Sequence, residues 1–341
     1  MNLPGARSAA PLVTVLGASG FLGSAVVAEL ARRPIRLRAV SRRPPAVPTG
    51  ARAAVETRTA DVTVRTELRS ALAGSDAVVD LLLPSDGWRG GRGGEGERVI
   101  VGVVRELLDH FAAAGSRPAV VLAGSTSQVG VPARLPVDGT GTDRPASDYD
   151  RHKLAAERLL TAAARENVVR GTTLRLSTVY GCGPPGGAPD RGVLAAMTRR
   201  ALEGRPLTVW QAGPILRDFL HVTDAAAAFA CAVDRAGDLS PGHWVVGSGE
   251  AASLHEVFQA IARTVAELTG DPPVAVRSVP PPPEAAPTDL ASMVVDASAF
   301  RSVTGWRPRV PRPAGLSRLA AELVSGGKSA TGKWLPGNAS D

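Results

Sequence analysis

Through roughly the first 180 residues, short apolar runs alternate with longer segments whose apolar positions recur every three or four residues. Leu12–Leu16, Leu37–Val40, Ala77–Leu83, Ala119–Ala123 and Thr172–Leu176 read as strands buried on both faces. Between them, Phe21–Arg33, Val64–Ala73, Val99–Ala114 and Tyr149–Glu166 have helical spacing. Alternation of strand and helix predicts βαβ units, whose crossovers make neighbouring strands parallel. The expected fold class is therefore α/β, with a doubly wound parallel sheet. Past residue 180 the pattern becomes irregular. A Gly- and Pro-dense stretch at Gly181–Pro189 precedes a helix (Val193–Leu202), a strand (Leu207–Trp210) and a second helix (Leu254–Leu268) that Ser253 and Glu256 open as a capping box. Pro280–Pro283 reads as a stiff linker, Gly-rich Trp88–Gly96 as a mobile loop, and the tail after Ser325 as disordered. A smaller, irregular α/β lobe is expected to face the sheet across a cleft.

Composition narrows the class. With 341 residues the chain can bury a core without disulfide or metal staples, and at 4% aromatics that core is built from Ala, Val and Leu. Two cysteines, Cys182 and Cys231, exclude a disulfide scaffold and a multi-cysteine zinc site, and no metal is expected. The net charge is +7, yet only three of the 39 cations are lysines, so 39 − 3 = 36 are arginines, scattered without a block of like charge. Such dispersion argues against a nucleic-acid partner. No apolar run approaches the roughly 20 residues of a membrane helix. Met1–Pro11 lacks a secretory apolar stretch, so the expectation is a soluble cytoplasmic protein with no membrane partner.

Candidate chemistry begins where Leu12–Leu16 runs into Gly17-Ala18-Ser19-Gly20-Phe21-Leu22-Gly23 and then a helix. Three glycines between a strand and a helix let the backbone approach an anion, and the helix N-terminus offers free N–H groups. This is a cradle for the pyrophosphate of a dinucleotide. Cofactor choice falls to the end of the second strand, where an NAD site places a carboxylate on the ribose 2′-hydroxyl. Here Ser41, Arg42 and Arg43 stand instead, a hydroxyl and two guanidiniums suited to a 2′-phosphate, so NADP(H) is expected. Asp61, after the third strand, is a partner for the adenine amino group.

Tyr149-Asp150-Arg151-His152-Lys153 pairs one of two tyrosines with one of three lysines. Ser147 or Asp148 caps the helix, so Tyr149 and Lys153 share a face one turn apart. An ammonium beside a phenol favours phenolate and lowers its pKa, giving a general acid/base for a carbinol oxygen. A hydroxyl should complete the group from the neighbouring strand end, where Ser125, Thr126 and Ser127 all qualify by chemistry.

Taken together, these residues resemble the extended short-chain dehydrogenase/reductases that act on nucleotide sugars. The resemblance runs in order through Gly17–Gly23, the hydroxyl-rich strand end, Tyr149/Lys153, Leu174-Arg175-Leu176-Ser177-Thr178-Val179-Tyr180-Gly181, Arg217-Asp218-Phe219-Leu220-His221-Val222-Thr223-Asp224, and Thr304-Gly305-Trp306-Arg307-Pro308. It implies an NADP-binding Rossmann domain over 11–180 plus about 218–248 and a nucleotide-sugar lobe over 181–217 plus 249–325, with 326–341 as tail. It further implies that Thr126 is the catalytic hydroxyl, that Ser125, Thr126, Thr178 and Arg217 meet the substrate, and that Arg217 contacts its pyrophosphate. Leu81 and Leu82 would pack on the cofactor beside Gly17, Ser19, Gly20, Phe21, Leu22 and Gly23. Thr178 stands where relatives carry Asn. Ser127-Gln128 follow Thr126 where 4,6-dehydratases carry Asp-Glu, which argues against dehydration. The pattern is most similar to NDP-4-keto-6-deoxyhexose 4-ketoreductases of deoxysugar and antibiotic biosynthesis. It implies a dTDP- or other NDP-4-keto-deoxysugar substrate and a homodimer formed through Val99–Ala114 and Tyr149–Glu166. The alternatives are a 4-epimerase with tightly bound NAD, and a non-catalytic dinucleotide-binding sensor.

Overall fold

The computed structural model describes residues 10–85, 87, 94–210, 214–283 and 285–327. In chain order its strands are β1 (Leu12–Leu16), β2 (Arg36–Ser41), β3 (Ala54–Thr59), β4 (Ala77–Asp80), β5 (Ala119–Ser125), β6 (Arg170–Leu176), β7 (Thr178–Tyr180), β8 (Leu207–Trp210), β9 (Leu216–His221), β10 (Gly242–Val246), β11 (Ala251–Ser253) and β12 (Val276–Val279). Its helices are α1 (Phe21–Leu30), α2 (Arg65–Leu72), α3 (Val103–Ala114), α4 (Asp148–Arg165), α5 (Val193–Leu202), α6 (Val222–Asp234), α7 (Ala236–Leu239), α8 (Leu254–Thr269), α9 (Pro287–Leu290), α10 (Ser298–Thr304) and α11 (Arg312–Gly327).

Seven strands form one parallel sheet in the order β10–β6–β5–β4–β1–β2–β3. The expected doubly wound sheet is present, and the apolar runs explain its layering. Val13, Val79 and Val121 point to one face, where α1 and α6 pack through Val26 and Phe229. Leu16, Val78 and Val120 point to the other, covered by α2, α3 and α4 through Leu68, Leu107 and Leu160. Strand order reverses on either side of β1, so the carboxyl ends of β1 and β4 open a crevice between diverging crossovers. The irregular region forms its own core around Phe258, Ile261, Leu316 and Leu319. It contains a three-stranded sheet β11–β9–β7 and a parallel pair β12–β8.

Several boundaries differ from the sequence reading for physical reasons. No apolar run announces β3, because it is an edge strand with Glu56 and Arg58 among its exposed or half-exposed positions. Strand β4 ends at Asp80 rather than at residue 83, since the chain leaves the sheet at the crevice. The segment from Val99 to Ala114 is helical with two windings, π-helical over Glu97–Gly102 and α-helical from Val103. Helix α11 continues to Gly327, so 326 and 327 belong to it, while the rest of the expected tail, 328–341, lies outside the described residues. The expected loop Trp88–Gly96 also lies outside them through residue 93; Glu95 and Gly96 are helical. No helix among the described residues is long and apolar enough to cross a membrane.

Gly305-Trp306 joins the irregular lobe to the sheet. The Trp306 ring is 4% exposed, lies edge-on to Phe300 at 5.7 Å, and donates its indole N–H to the Asp224 carbonyl at 3.1 Å. Removing a ring this enclosed leaves a cavity that the packed core cannot refill. Trp306→Ala is expected to lower unfolding free energy by about 3–5 kcal/mol, read from urea denaturation. A loss below about 1 kcal/mol would show that this junction carries little of the fold.

Candidate active site

The cradle is built by close backbone approach. Gly17 takes φ +83°, and the N–H groups of Gly17 and Ala18 both donate to the Val40 carbonyl, at 2.9 and 3.0 Å, which fastens the turn to β2. A Cβ at Gly23 would sit 2.0 Å from the Gly17 carbonyl oxygen, so the first turn of α1 can seat only on glycine. Gly20 caps α1 without a side-chain hydrogen bond, and the first turn carries no acidic residue, so its N–H groups face the crevice uncompensated. Ser19 follows Ala18 in the turn and its carbonyl accepts from Ala188 N at 3.0 Å. Phe21 and Leu22 pack half-buried on the core, and Leu81 and Leu82 back the cradle from the end of β4. These residues fit a dinucleotide pyrophosphate.

At the end of β2, Ser41 is buried and donates its hydroxyl to the Arg43 carbonyl at 2.6 Å. Arg42 and Arg43 are exposed and form no ion pair among the described residues. Asp61 Oδ1 accepts from Thr63 N at 3.0 Å and from its hydroxyl at 2.7 Å. Those bonds, with Arg42 adding a smaller electrostatic contribution, hold the Asp61 carboxyl below its usual range.

The helix face predicted for Tyr149 and Lys153 exists. Ser147 caps α4 by accepting from Asp150 N at 3.1 Å, which sets the two side chains one turn apart. Lys153 is 3% exposed and donates to the Ala123 carbonyl at 2.8 Å and the Leu82 carbonyl at 3.4 Å. Its ammonium lies 5.9 Å from the centroid of the Tyr149 ring. One expectation is corrected here: among the described residues no hydrogen bond joins the ammonium to the hydroxyl, and the phenol is raised rather than lowered. Burial, with the negative charge of Asp150, pushes the Tyr149 phenol above its ordinary value. Burial likewise lowers Lys153 to about 8, opposed by nearby Asp80, whose own carboxyl is raised by burial.

The strand-end hydroxyls form a chain that sequence reasoning did not find. Ser125 Oγ bonds Ser127 Oγ at 2.7 Å, Ser127 Oγ donates to Asp150 Oδ1 at 2.5 Å, and Ser147 Oγ donates to Asp150 Oδ2 at 2.7 Å. Thr126 is 5% exposed at the start of the following turn, whereas Ser125 is more open. Beneath this turn lies a second missed group. Gln128 accepts from Ser125 N at 2.8 Å and donates to Glu157 at 3.1 Å; Arg175 binds Glu157 and, through both terminal nitrogens, Asp143 at 2.7 and 2.8 Å. The available signals were an arginine inside an otherwise apolar strand and an acid eight residues beyond Tyr149 on the same helical stripe.

In the irregular lobe, Thr178 is half-exposed on β7 beside Phe219 of β9. Arg217 pairs with neither Asp218 nor Asp224. Its Nη1 donates to the Ala291 and Leu216 carbonyls, and its Nη2 to those of Thr288 and Asp289 at 3.0 and 2.9 Å. Asp218 instead accepts from the N–H groups of Ser248 and Gly249, and Asp224 from those of Arg309 and Val310. A cavity of about 310 Å³ opens nearby, lined by Trp210, Pro214, Ile215 and His255. A larger one of about 520 Å³, lined by Arg117, Arg165, Arg170 and Ser240, lies at the amino-terminal edge of the sheet, away from the constellation.

The sign of the Lys153 shift gives a test. Between about 8 and 10.5 the folded state binds fewer protons than the unfolded chain, so stability rises with pH across that window. Lys153→Met is expected to stabilise the protein without cofactor at pH 7 by on the order of 1–3 kcal/mol. The gap should close towards pH 10.5, because the buried charge is then lost in both states. Equal stabilities at pH 7, by chemical denaturation, would show that the ammonium is not held at a cost.

Comparison with known proteins agrees with this geometry. Residues 13–247 match the NAD dependent epimerase/dehydratase family. The chain is 27% identical over 303 residues to dTDP-6-deoxy-L-talose 4-dehydrogenase (NAD(P)(+)) of Kitasatospora kifunensis, covering 87% of this chain and 91% of that protein. It is 30% identical over 226 residues to UDP-glucose 4-epimerase of Mycolicibacterium smegmatis, covering 64% of this chain and 66% of that one. Among solved structures, MoeE5 in complex with UDP-glucuronic acid and NAD superposes with a TM-score of 0.73 at 30% identity, over 90% of this chain and 96% of that one.

Proposed function

The chain belongs to the NAD dependent epimerase/dehydratase family, and we propose that it reduces the C4 ketone of an NDP-4-keto-6-deoxyhexose, dTDP-linked, with NADPH. The observation that carries this reading is the near full-length likeness to a 4-dehydrogenase of a dTDP-6-deoxysugar, together with two exposed arginines at the strand end where an NAD-specific carboxylate would stand. Ser41, Arg42 and Arg43 would hold the 2′-phosphate, Asp61 the adenine, and the glycine cradle with Leu81 and Leu82 the rest of the dinucleotide.

When bound, the dinucleotide supplies the hydride that reduces C4. Tyr149 donates its phenolic proton to the C4 oxygen; a phenol kept neutral by burial is in the right state for that direction. Two of the three Lys153 N–H groups are committed to carbonyls, which leaves one for a ribose hydroxyl. Thr126 holds the C4 oxygen. Hydrogen-bond bookkeeping supports that choice. A carboxylate at Asp150 can only accept, so Ser127 spends its proton there and Ser125 must donate to Ser127. Thr126 is then the strand-end hydroxyl with a proton to give, and Ser125 offers the sugar a lone pair. Arg217 retains an uncommitted Nε–H for the diphosphate, and Thr178 lines the sugar's path. The cavity beside Trp210 is the place for the nucleoside. We further place the enzyme in the cytoplasm as a homodimer paired through α3 and α4.

NADPH oxidation should occur with a panel of dTDP-4-keto-6-deoxy sugars. Tyr149→Phe should lower turnover by about 10²- to 10⁴-fold with little change in cofactor affinity; unchanged turnover would remove the phenol from the mechanism. The Arg42→Ala/Arg43→Ala pair should raise the KM for NADPH roughly tenfold or more and leave that for NADH nearly constant. A second reading, a 4-epimerase, is favoured by the NAD bound in MoeE5 and the likeness to UDP-glucose 4-epimerase. Stoichiometric NAD released on denaturing the purified protein would select it. Dinucleotide binding without turnover on any keto- or hydroxy-sugar would select the non-catalytic sensor.

A further inference from the structure

Residues 149, 153 and 157 lie four apart on α4 and share one face. The first two carry the acid/base chemistry; the third turns into the protein, where a carboxylate has to be explained. Glu157 is 3% exposed, and no ligand can reach it directly. Its oxygens accept from Arg175 Nε at 2.9 Å, Arg175 Nη2 at 2.5 Å and Gln128 Nε2 at 3.1 Å. Arg175 is fully enclosed in β6 and is anchored on its far side by the bidentate pair with Asp143. Gln128, also fully enclosed, accepts from Ser125 N at 2.8 Å, closing a capping box over the turn Thr126–Val129.

The path therefore starts at the helix bearing Tyr149 and Lys153 and ends at the backbone of the turn bearing Ser125 and Thr126. It contains two side chains, Glu157 and Gln128. Each has its donors and acceptors matched, so a displacement of α4 along its axis breaks a buried hydrogen bond. Arg175, clamped between two carboxylates, fixes where Glu157 can sit. His243 also approaches Glu157, at 3.4 Å, while its other ring nitrogen reaches the Gly139 carbonyl at 2.9 Å.

We propose that Gln128 and Glu157 are positioning residues that set the distance between the Tyr149 phenol and the strand-end hydroxyls. They touch neither substrate nor cofactor. Their kinetic consequence rests on the proposed reduction, where phenol and hydroxyl must meet one carbonyl oxygen together. A misplacement near 1 Å is enough to cost about a hundredfold in rate.

The test uses the full-length protein. Gln128→Met keeps length and removes both bonds. It should lower kcat roughly 10- to 100-fold and leave the dinucleotide KM within about twofold, because the cradle is untouched. Gln128→Glu faces the Glu157 carboxylate and should be at least as impaired. Amide hydrogen exchange is followed in the same proteins without substrate. Gln128→Met should speed exchange over residues 125–129 while the strands β1 and β4 stay protected.

Wild-type kcat in Gln128→Met, or faster exchange spread evenly over the sheet, would overturn the proposal and leave the pair a merely stabilising role. If the wild type turns over no keto-sugar, the reductase reading fails by itself. The exchange experiment still decides whether Gln128 holds the turn.

Discussion

A buried ammonium fastens three elements of this protein together at the rim of the crevice. Lys153 bridges three elements. It sits on α4, donates to the carbonyl of Ala123 in β5, and reaches the carbonyl of Leu82 just past β4. These are the carboxyl ends of neighbouring parallel strands, so one side chain pins the acid/base helix to the rim of the crevice where the glycine turn also ends. The charge is held without a carboxylate bonded to it, and burial lowers its pKa to about 8. Water would solvate that cation better than two carbonyls do.

The parts of this arrangement visible in the sequence are those where local chemistry and burial coincide. Strand β1 and the glycines after it were legible because an apolar run must end where backbone, not side chain, meets the ligand. Tyr149 and Lys153 were legible because helical spacing converts four residues into one turn. Edge strand β3 was hidden, since solvent on its outer edge removes the need for apolar residues. The Ser125–Ser127–Asp150 chain and the Gln128–Glu157–Arg175 group were hidden for another reason. Each joins residues 18 to 29 positions apart, and no local pattern records which hydroxyl or acid will face which partner. The direction of the Tyr149 shift was missed because a ring can lie near an ammonium without its hydroxyl doing so.

Arginine abundance obscured which cations matter. Most sit at the surface, where an ion pair contributes little. Arg175 differs because it is enclosed with Glu157 and Asp143, and removal of any one member would strand charge in a dry interior. Arg42 and Arg43 differ in the opposite sense, being exposed and forming no ion pair among the described residues. Burial and partnership, rather than residue type, separate the arginine that holds the fold from those available to an anion.

The same accounting limits the reaction the pocket can run. Eliminating water from a sugar needs an acid and a base in addition to the redox group, placed at the strand end. Here the turn after Ser125 has no such pair to offer. Gln128 is an amide fully enclosed and bonded at both ends, and Ser127 spends its proton on Asp150. The two oxygens of Asp150 are held by Ser127 and Ser147. In the irregular lobe, Asp218 and Asp224 are likewise consumed by backbone N–H groups. Among the described residues, Tyr149 and Lys153 are thus titrating groups at the crevice whose protons are not shared with a neighbouring side chain. Burial keeps the Tyr149 phenol protonated and makes it a weaker acid, so only a strongly basic oxygen, such as an alkoxide, would take that proton.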